Sequence, residues 1–187
     1  LVIRNTYEVW WTTSIEKLMQ RLKKENDAFW NANGRREKAE HLGLTIPEVI
    51  TLASIVEEET NYQPEKSRVA GLYLNRLRKG IRLQSDPTVK YALKDFKLNR
   101  ILFEHLKVDD PYNTYKYAGL PPGPIRLPSI ATIDAVLNAE KHNYIYMCAH
   151  PDFNGTHNFA VTLAEHNRNA AKYHVALRKW LAEKEKK

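Results

Sequence analysis

Residues 45–60, Thr45-Ile46-Pro47-Glu48-Val49-Ile50-Thr51-Leu52-Ala53-Ser54-Ile55-Val56-Glu57-Glu58-Glu59-Thr60, constrain this chain most, because they predict an apolar helix that runs straight into three carboxylates. Thr45 and Glu48 have capping-box spacing, and Pro47 in the first turn gives up an N–H that no helix bond would use, so the start and the phase of the helix are set. At about 100° per residue, Ile46, Ile50, Ala53 and Glu57 share a stripe flanked by Val49 and Val56. Leu52 and Ile55 lie on the far side, so the helix is expected to be buried nearly all round, with Thr51, Ser54 and Glu58 as its polar seam. Glu58 is the most exposed of the three glutamates, and Glu59, beside Leu52, needs a hydrogen-bonding or cationic partner.

A carboxyl held among apolar residues has its pKa raised, because desolvation disfavours its charged form. Glu57 is therefore a candidate general acid. Helical phase alone favours the plainer reading, a helix end whose glutamates are solvated or structurally paired.

At 187 residues, with 43% hydrophobic and 27% charged, the chain suits one domain, 1–187, with a sizeable core. It has no apolar run of bilayer-spanning length. The net charge of +7 is spread over short clusters such as Lys23-Lys24, Arg35-Arg36 and the tail Lys184-Glu185-Lys186-Lys187, without the basic stripe of a nucleic-acid reader. The single Cys148 sits in an apolar run and reads as an inert thiol.

Around the central helix the chain reads as a mainly helical α+β domain. Residues 1–11 are rich in β-formers; Thr13 and Glu16 mark a helix to Trp30, stopped by Gly34; residues 35–43 are a charged connection or short helix. Residues 65–79 form a helix ended by Gly80, whose apolar stripe carries Arg76; that guanidinium is expected to meet Glu59, Glu57 or Asp86. A helix from Thr88 to Leu93, a short one from Asn99 to Leu106 and one capped by Ser129 follow. Gly119-Leu120-Pro121-Pro122-Gly123-Pro124-Ile125 is a stiff extended run expected to frame a cleft wall. Residues 143–149 and 156–159 make a hairpin around Asn154-Gly155, and Thr162 with Glu165 opens the last helix.

The seven histidines lack helical ligand spacing, no phosphate-cradling glycine loop or Gly-x-Ser-x-Gly elbow is present, and His157 and His166 read as satisfied polar residues; no metal or cofactor is expected. Carboxylate chemistry on a glycan remains, with Glu57 as the acid and Asp86 or Glu59 as an optional second carboxylate.

Leu52-Ala53-Ser54-Ile55-Val56-Glu57-Glu58-Glu59-Thr60, Asn75-Arg76-Leu77, Leu83-Gln84-Ser85-Asp86-Pro87-Thr88-Val89, Tyr112-Asn113-Thr114-Tyr115 and the Pro-rich run follow one another in the order seen in the YceG-like endolytic murein transglycosylases. His157-Asn158-Phe159 and Glu165-His166-Asn167 resemble the end of the same domain. Arg4 departs from the proline expected there. The resemblance implies a lytic-transglycosylase-like catalytic domain on the extracytoplasmic side of the cytoplasmic membrane, anchored by an N-terminal helix that precedes it with a LysM-like portion. It implies cleavage between N-acetylmuramic acid and N-acetylglucosamine to leave 1,6-anhydromuramic ends, with peptidoglycan strands as partner, cell-wall synthesis proteins as neighbours and no nucleic acid. It aligns the catalytic glutamate with Glu57, which would protonate the glycosidic oxygen and then take the proton of the muramic C6 hydroxyl. Gln84, Ser85, Asp86, Thr88, Asn113 and Tyr115 would hold the strand, and Glu59, Asn75 and Arg76 would support the site. A water-using muramidase and a glycan-binding module without turnover are the alternatives.

Overall fold

The computed structural model describes residues 2–98 and 100–184. Seven α-helices and one two-stranded sheet follow in order: α1 (Ile15–Asn31), α2 (Arg35–Leu42), α3 (Ile46–Glu59), α4 (Lys66–Arg78), α5 (Asp86–Leu93), α6 (Ile130–Leu137), β1 (Tyr146–Ala149), β2 (His157–Ala160) and α7 (Leu163–Lys184). A mainly helical α+β domain is what the sequence predicts.

Helix α3 is the axis of the core. Its capping box is formed in both directions, with Thr45 N–H donating to Glu48 Oε2 at 2.8 Å and Glu48 N–H donating to Thr45 Oγ1 at 3.4 Å. Val49, Leu52, Ala53, Ile55 and Val56 have no accessible surface, so side chains from every face of the helix are inside. Thr51 and Ser54 of the polar seam are inside as well: Thr51 donates to Pro47 O and Ser54 to Thr51 O, while Ile125 N–H donates to Ser54 Oγ at 3.0 Å. That last bond ties the Pro-rich run, which forms neither helix nor strand, to the middle of α3. Helices α2, α4, α5 and α6 pack around α3, and α7 lies across the hairpin.

Helix α4 approaches the chain leading into β1 closely. A Cβ on Gly71 would stand 2.3 Å from Glu140 O, so glycine is required at this crossing. Asn75 Nδ2 donates to His142 O at 2.7 Å and to Tyr144 O at 3.1 Å, fixing the strand's entry. The strands are antiparallel, pairing Tyr146 with Ala160 and Ala149 with His157.

Several boundaries differ from expectation. Ser14, not Thr13, caps α1, its Oγ accepting from Lys17 N–H, and the helix ends at Asn31 while left-handed Gly34 starts α2. The hairpin turns through residues 150–156, closed by His150 N–H to Thr156 O at 2.9 Å, because Phe153 and Gly155 both take positive φ instead of forming a two-residue turn. The expected helix from Asn99 is absent from the described residues, Asn99 itself lying outside them; a 3₁₀ turn, His105–Lys107, stands there, and Phe103 is exposed without an apolar face to hold a helix down. Residues 2–11 form no strand, and Trp10 and Trp11 are exposed. Leu1 and residues 185–187 of the tail lie outside the description. Among the described residues no single helix is long and apolar enough to cross a membrane.

Candidate active site

The end of α3 sends its three carboxylates in three directions. Glu58 points outward and pairs with Arg126 at the surface. Glu57 turns toward the start of α6, and Glu59 toward a cleft under the hairpin.

Glu57 is ionised and tied down. Its Oε2 accepts from Lys66 Nζ at 2.9 Å, from Ser129 Oγ at 3.0 Å and from the Thr132 hydroxyl, and Arg4 Nη1 stands 3.4 Å from Oε1. Lys66 is itself buried and also donates to Thr132 Oγ1 at 2.7 Å. Burial pushes the Glu57 carboxyl up, but the hydrogen bonds from Thr132, Lys66 and Ser129 and the charge of Lys66 outweigh it and bring the pKa from the ordinary 4.5 to about 2. The raised pKa expected of an acid on an apolar stripe is thus corrected. At the end of the stripe Glu57 meets Lys66 of α4, Arg4 and the hydroxyls of the α6 N-terminus, and they hold it as an anion.

Glu59 has the opposite surroundings. It lines a cleft of about 470 Å³ whose other walls come from α4, Leu83, Gln84, Asp86, Tyr115, β1, His157 and the first turn of α7. Tyr73 donates to its Oε1 at 2.5 Å, and the Ser85 hydroxyl donates to the same oxygen. Oε2 has no partner among the described residues. Burial raises the Glu59 pKa, the two hydroxyls pull it down without reversing the shift, and the charge of Asp86 pushes it further up. A carboxyl in this setting keeps its proton to a higher pH and offers it from Oε2.

Arg76 meets none of the three carboxylates expected of it. It donates from Nε to Arg82 O at 2.9 Å, from Nη1 to Ile145 O at 2.7 Å and from Nη2 to the Gln84 amide oxygen. The guanidinium satisfies carbonyls, which joins the hairpin to the cleft wall and keeps its charge from settling on Glu59. Gln84 holds a left-handed backbone (φ 54°) unusual for a non-glycine residue, its N–H donating to Thr114 O.

The residues expected to hold the strand separate into two groups. Gln84, Asp86 and Tyr115 line the cleft, and the Tyr115 hydroxyl donates to Asp86 Oδ1 at 2.6 Å. Ser85, Thr88 and Asn113 are buried, so contact with a strand is corrected for these three. Ser85 serves Glu59, Thr88 donates to Ser85 O at 2.7 Å, and Asn113 Nδ2 donates to Leu106 O and Val108 O. Asn75 and Arg76 support the site through the backbone leading into β1.

Tyr73, Tyr146, His157 and His166 were not expected here, yet all four line the cleft. Tyr146 and His166 stack with centroids 5.4 Å apart, and burial and Arg76 both lower the pKa of His166. Cys148 also borders the cleft, its thiol pushed up by burial and so kept protonated. No group of three His, Cys, Asp or Glu side chains among the described residues is placed to hold a metal ion.

The YceG-like family model matches residues 1–172. The chain belongs to the YceG-like family. It is 35% identical over 161 residues to an endolytic murein transglycosylase of Bacillus subtilis (strain 168), covering 86% of this chain and 43% of that protein. Identity to the protein of the same name from Streptococcus pneumoniae serotype 2 (strain D39) is 31%, over 90% of this chain and 31% of the relative. A crystal structure of a yceG-like protein from Listeria monocytogenes superposes with a TM-score of 0.72 at 35% identity, covering 88% of this chain and 52% of that one. The chain thus spans less than half the length of these curated relatives.

Proposed function

We propose that this YceG-like domain is a lytic transglycosylase that cuts peptidoglycan glycan strands between N-acetylmuramic acid and N-acetylglucosamine, with Glu59 as its general acid. The names of the relatives support the reaction and the substrate class. The observation that carries the residue assignment is the Glu59 carboxyl, set in the cleft with a raised pKa and both hydroxyl partners on one oxygen. Glu59 gives its proton to the glycosidic oxygen as the C1–O bond breaks, and the muramic C6 hydroxyl gives its proton to a basic group of the cleft as its oxygen closes on C1, leaving the 1,6-anhydro ring. Gln84, Asp86 and Tyr115 hold the strand along the cleft wall. By family likeness the domain works on the extracytoplasmic side of the cytoplasmic membrane, tethered by a segment outside this sequence and near cell-wall synthesis proteins.

The test is mass spectrometry of murein strands digested by the full-length protein. Glu59→Gln is expected to lower the yield of anhydro ends by about 10²–10⁴-fold. Glu57→Gln, assayed at a temperature where it is folded, keeps them. Full activity of Glu59→Gln rejects the assignment. Asp86 in the same cleft favours a second reading, a muramidase in which it activates water; reducing ends in place of anhydro ends would establish that reading instead.

A further inference from the structure

We infer that His157, oriented by Glu65, is a second catalytic residue of this cleft, whose Nε2 takes the proton of the C6 hydroxyl while Glu59 delivers its own to the glycosidic oxygen. The inference rests on the reading of Glu59 as the acid and deepens it.

Glu65 belongs to a 3₁₀ turn, Gln63–Glu65, and is buried. Its carboxylate reaches across 92 positions of sequence to grip His157 twice. The His157 backbone N–H donates to Oε1 at 2.9 Å, and ring Nδ1 lies 2.7 Å from Oε2. The first bond is sufficient to anchor the start of β2. The second acts on the ring: a carboxylate at Nδ1 assigns a proton there, which in the neutral ring leaves Nε2 as a lone-pair acceptor. Among the described residues Nε2 has no hydrogen-bond partner, and the ring lines the same cleft as Glu59. An imidazole fixed in tautomer by a buried carboxylate, with its other nitrogen free and its ring in the wall of the acid's cleft, is equipped to accept a proton.

The step balances without a co-reactant. The Glu59 O–H bond breaks and its proton goes to the glycosidic oxygen as the C1–O bond breaks, releasing that strand as an alcohol. The C6 oxygen forms its bond to C1, and its proton moves to Nε2. The imidazolium is stabilised by Glu65, and its proton returns to the Glu59 carboxylate through solvent, restoring both groups. Under this division of labour Glu59 need not reverse its role within one bond-making event.

The experiment uses the full-length protein, isolated murein strands and imidazole as the probe. His157→Ala is expected to lower the yield of anhydro ends by about 10²-fold, and added imidazole is expected to restore part of it, which a purely structural histidine would not allow. Glu65→Gln should lower kcat and leave KM in place. Wild-type turnover of His157→Ala overturns the inference, and so does a loss that imidazole cannot relieve in a variant with a wild-type melting curve. If His157→Ala does not fold, Glu65→Gln decides, unchanged kcat overturning the proposal. Failure of the acid assignment reads differently: Glu59→Gln would then be active, whatever His157→Ala does.

Discussion

Glu57 and Glu59 lie two residues apart on one helix, about 200° around its axis, and the fold gives them opposite chemistry. Glu57 receives a buried lysine, two hydroxyls and an arginine, and its pKa falls to about 2. Glu59 receives two neutral hydroxyls and a neighbouring carboxylate, and its pKa rises. Burial opposes ionisation at both, and more strongly at Glu59, which lies the deeper. The second difference is whether a lysine or arginine comes with it. Lys66 settles on Glu57, and Arg76, which lines the cleft, is spent on carbonyls and an amide. A stabilising anion and a carboxyl that keeps its proton to a higher pH are therefore made from the same residue type within one helical turn.

The largest effect that separates the two is on turnover. Glu59→Gln should lose about 10²–10⁴-fold in product, and Glu57→Gln should keep most of it. On stability the order reverses. Removing the Glu57 charge leaves Lys66 buried without its counter-ion, and Glu57→Gln is expected to cost about 3–5 kcal/mol in urea unfolding. A cost below about 1 kcal/mol would place Glu57 with the weakly coupled surface carboxylates instead.

Acid sharpens the comparison next. The folded pKa of Glu57 lies below its ordinary value of 4.5, so its contribution to stability is present above pH 4.5 and is lost as pH falls toward about 2. Glu59 works in the other sense, because its folded pKa is raised: its contribution is present below its unfolded value and is lost as pH rises through the folded one. The wild type should therefore lose more stability than Glu57→Gln between pH 4.5 and pH 2. The smallest effect belongs to the third glutamate. Glu58 and Arg126 are each about 40% exposed, and Glu58→Ala should change stability by less than about 1 kcal/mol.

Much of this architecture is legible in the sequence, and the reason is local. The Thr45–Glu48 box and the Ser129 cap act within a few residues, and each does in the structure what its spacing predicts; the run of prolines is extended as expected, but it packs on the middle of α3 and none of residues 119–125 lines the cleft it was expected to frame. The choice between Glu57 and Glu59 is not local. An apolar stripe identifies the inward face only when the opposite face meets water, and α3 is buried on every side, so phase placed Glu57 inside without saying against what. Its partners come from 9 and 75 positions away, and Glu65 finds His157 across 92. The same limit misplaced Thr88 and Asn113: a polar residue in a loop motif reads alike whether it holds a ligand or a backbone carbonyl, and here both hold carbonyls.

The most direct test of the central contrast is a carboxyl-carbon NMR titration of the protein labelled at glutamate, with Glu57→Gln and Glu59→Gln used to assign the two resonances. The opposed environments predict that Glu57 titrates near pH 2 and Glu59 above 4.5. A Glu57 that titrates above Glu59 would contradict the account.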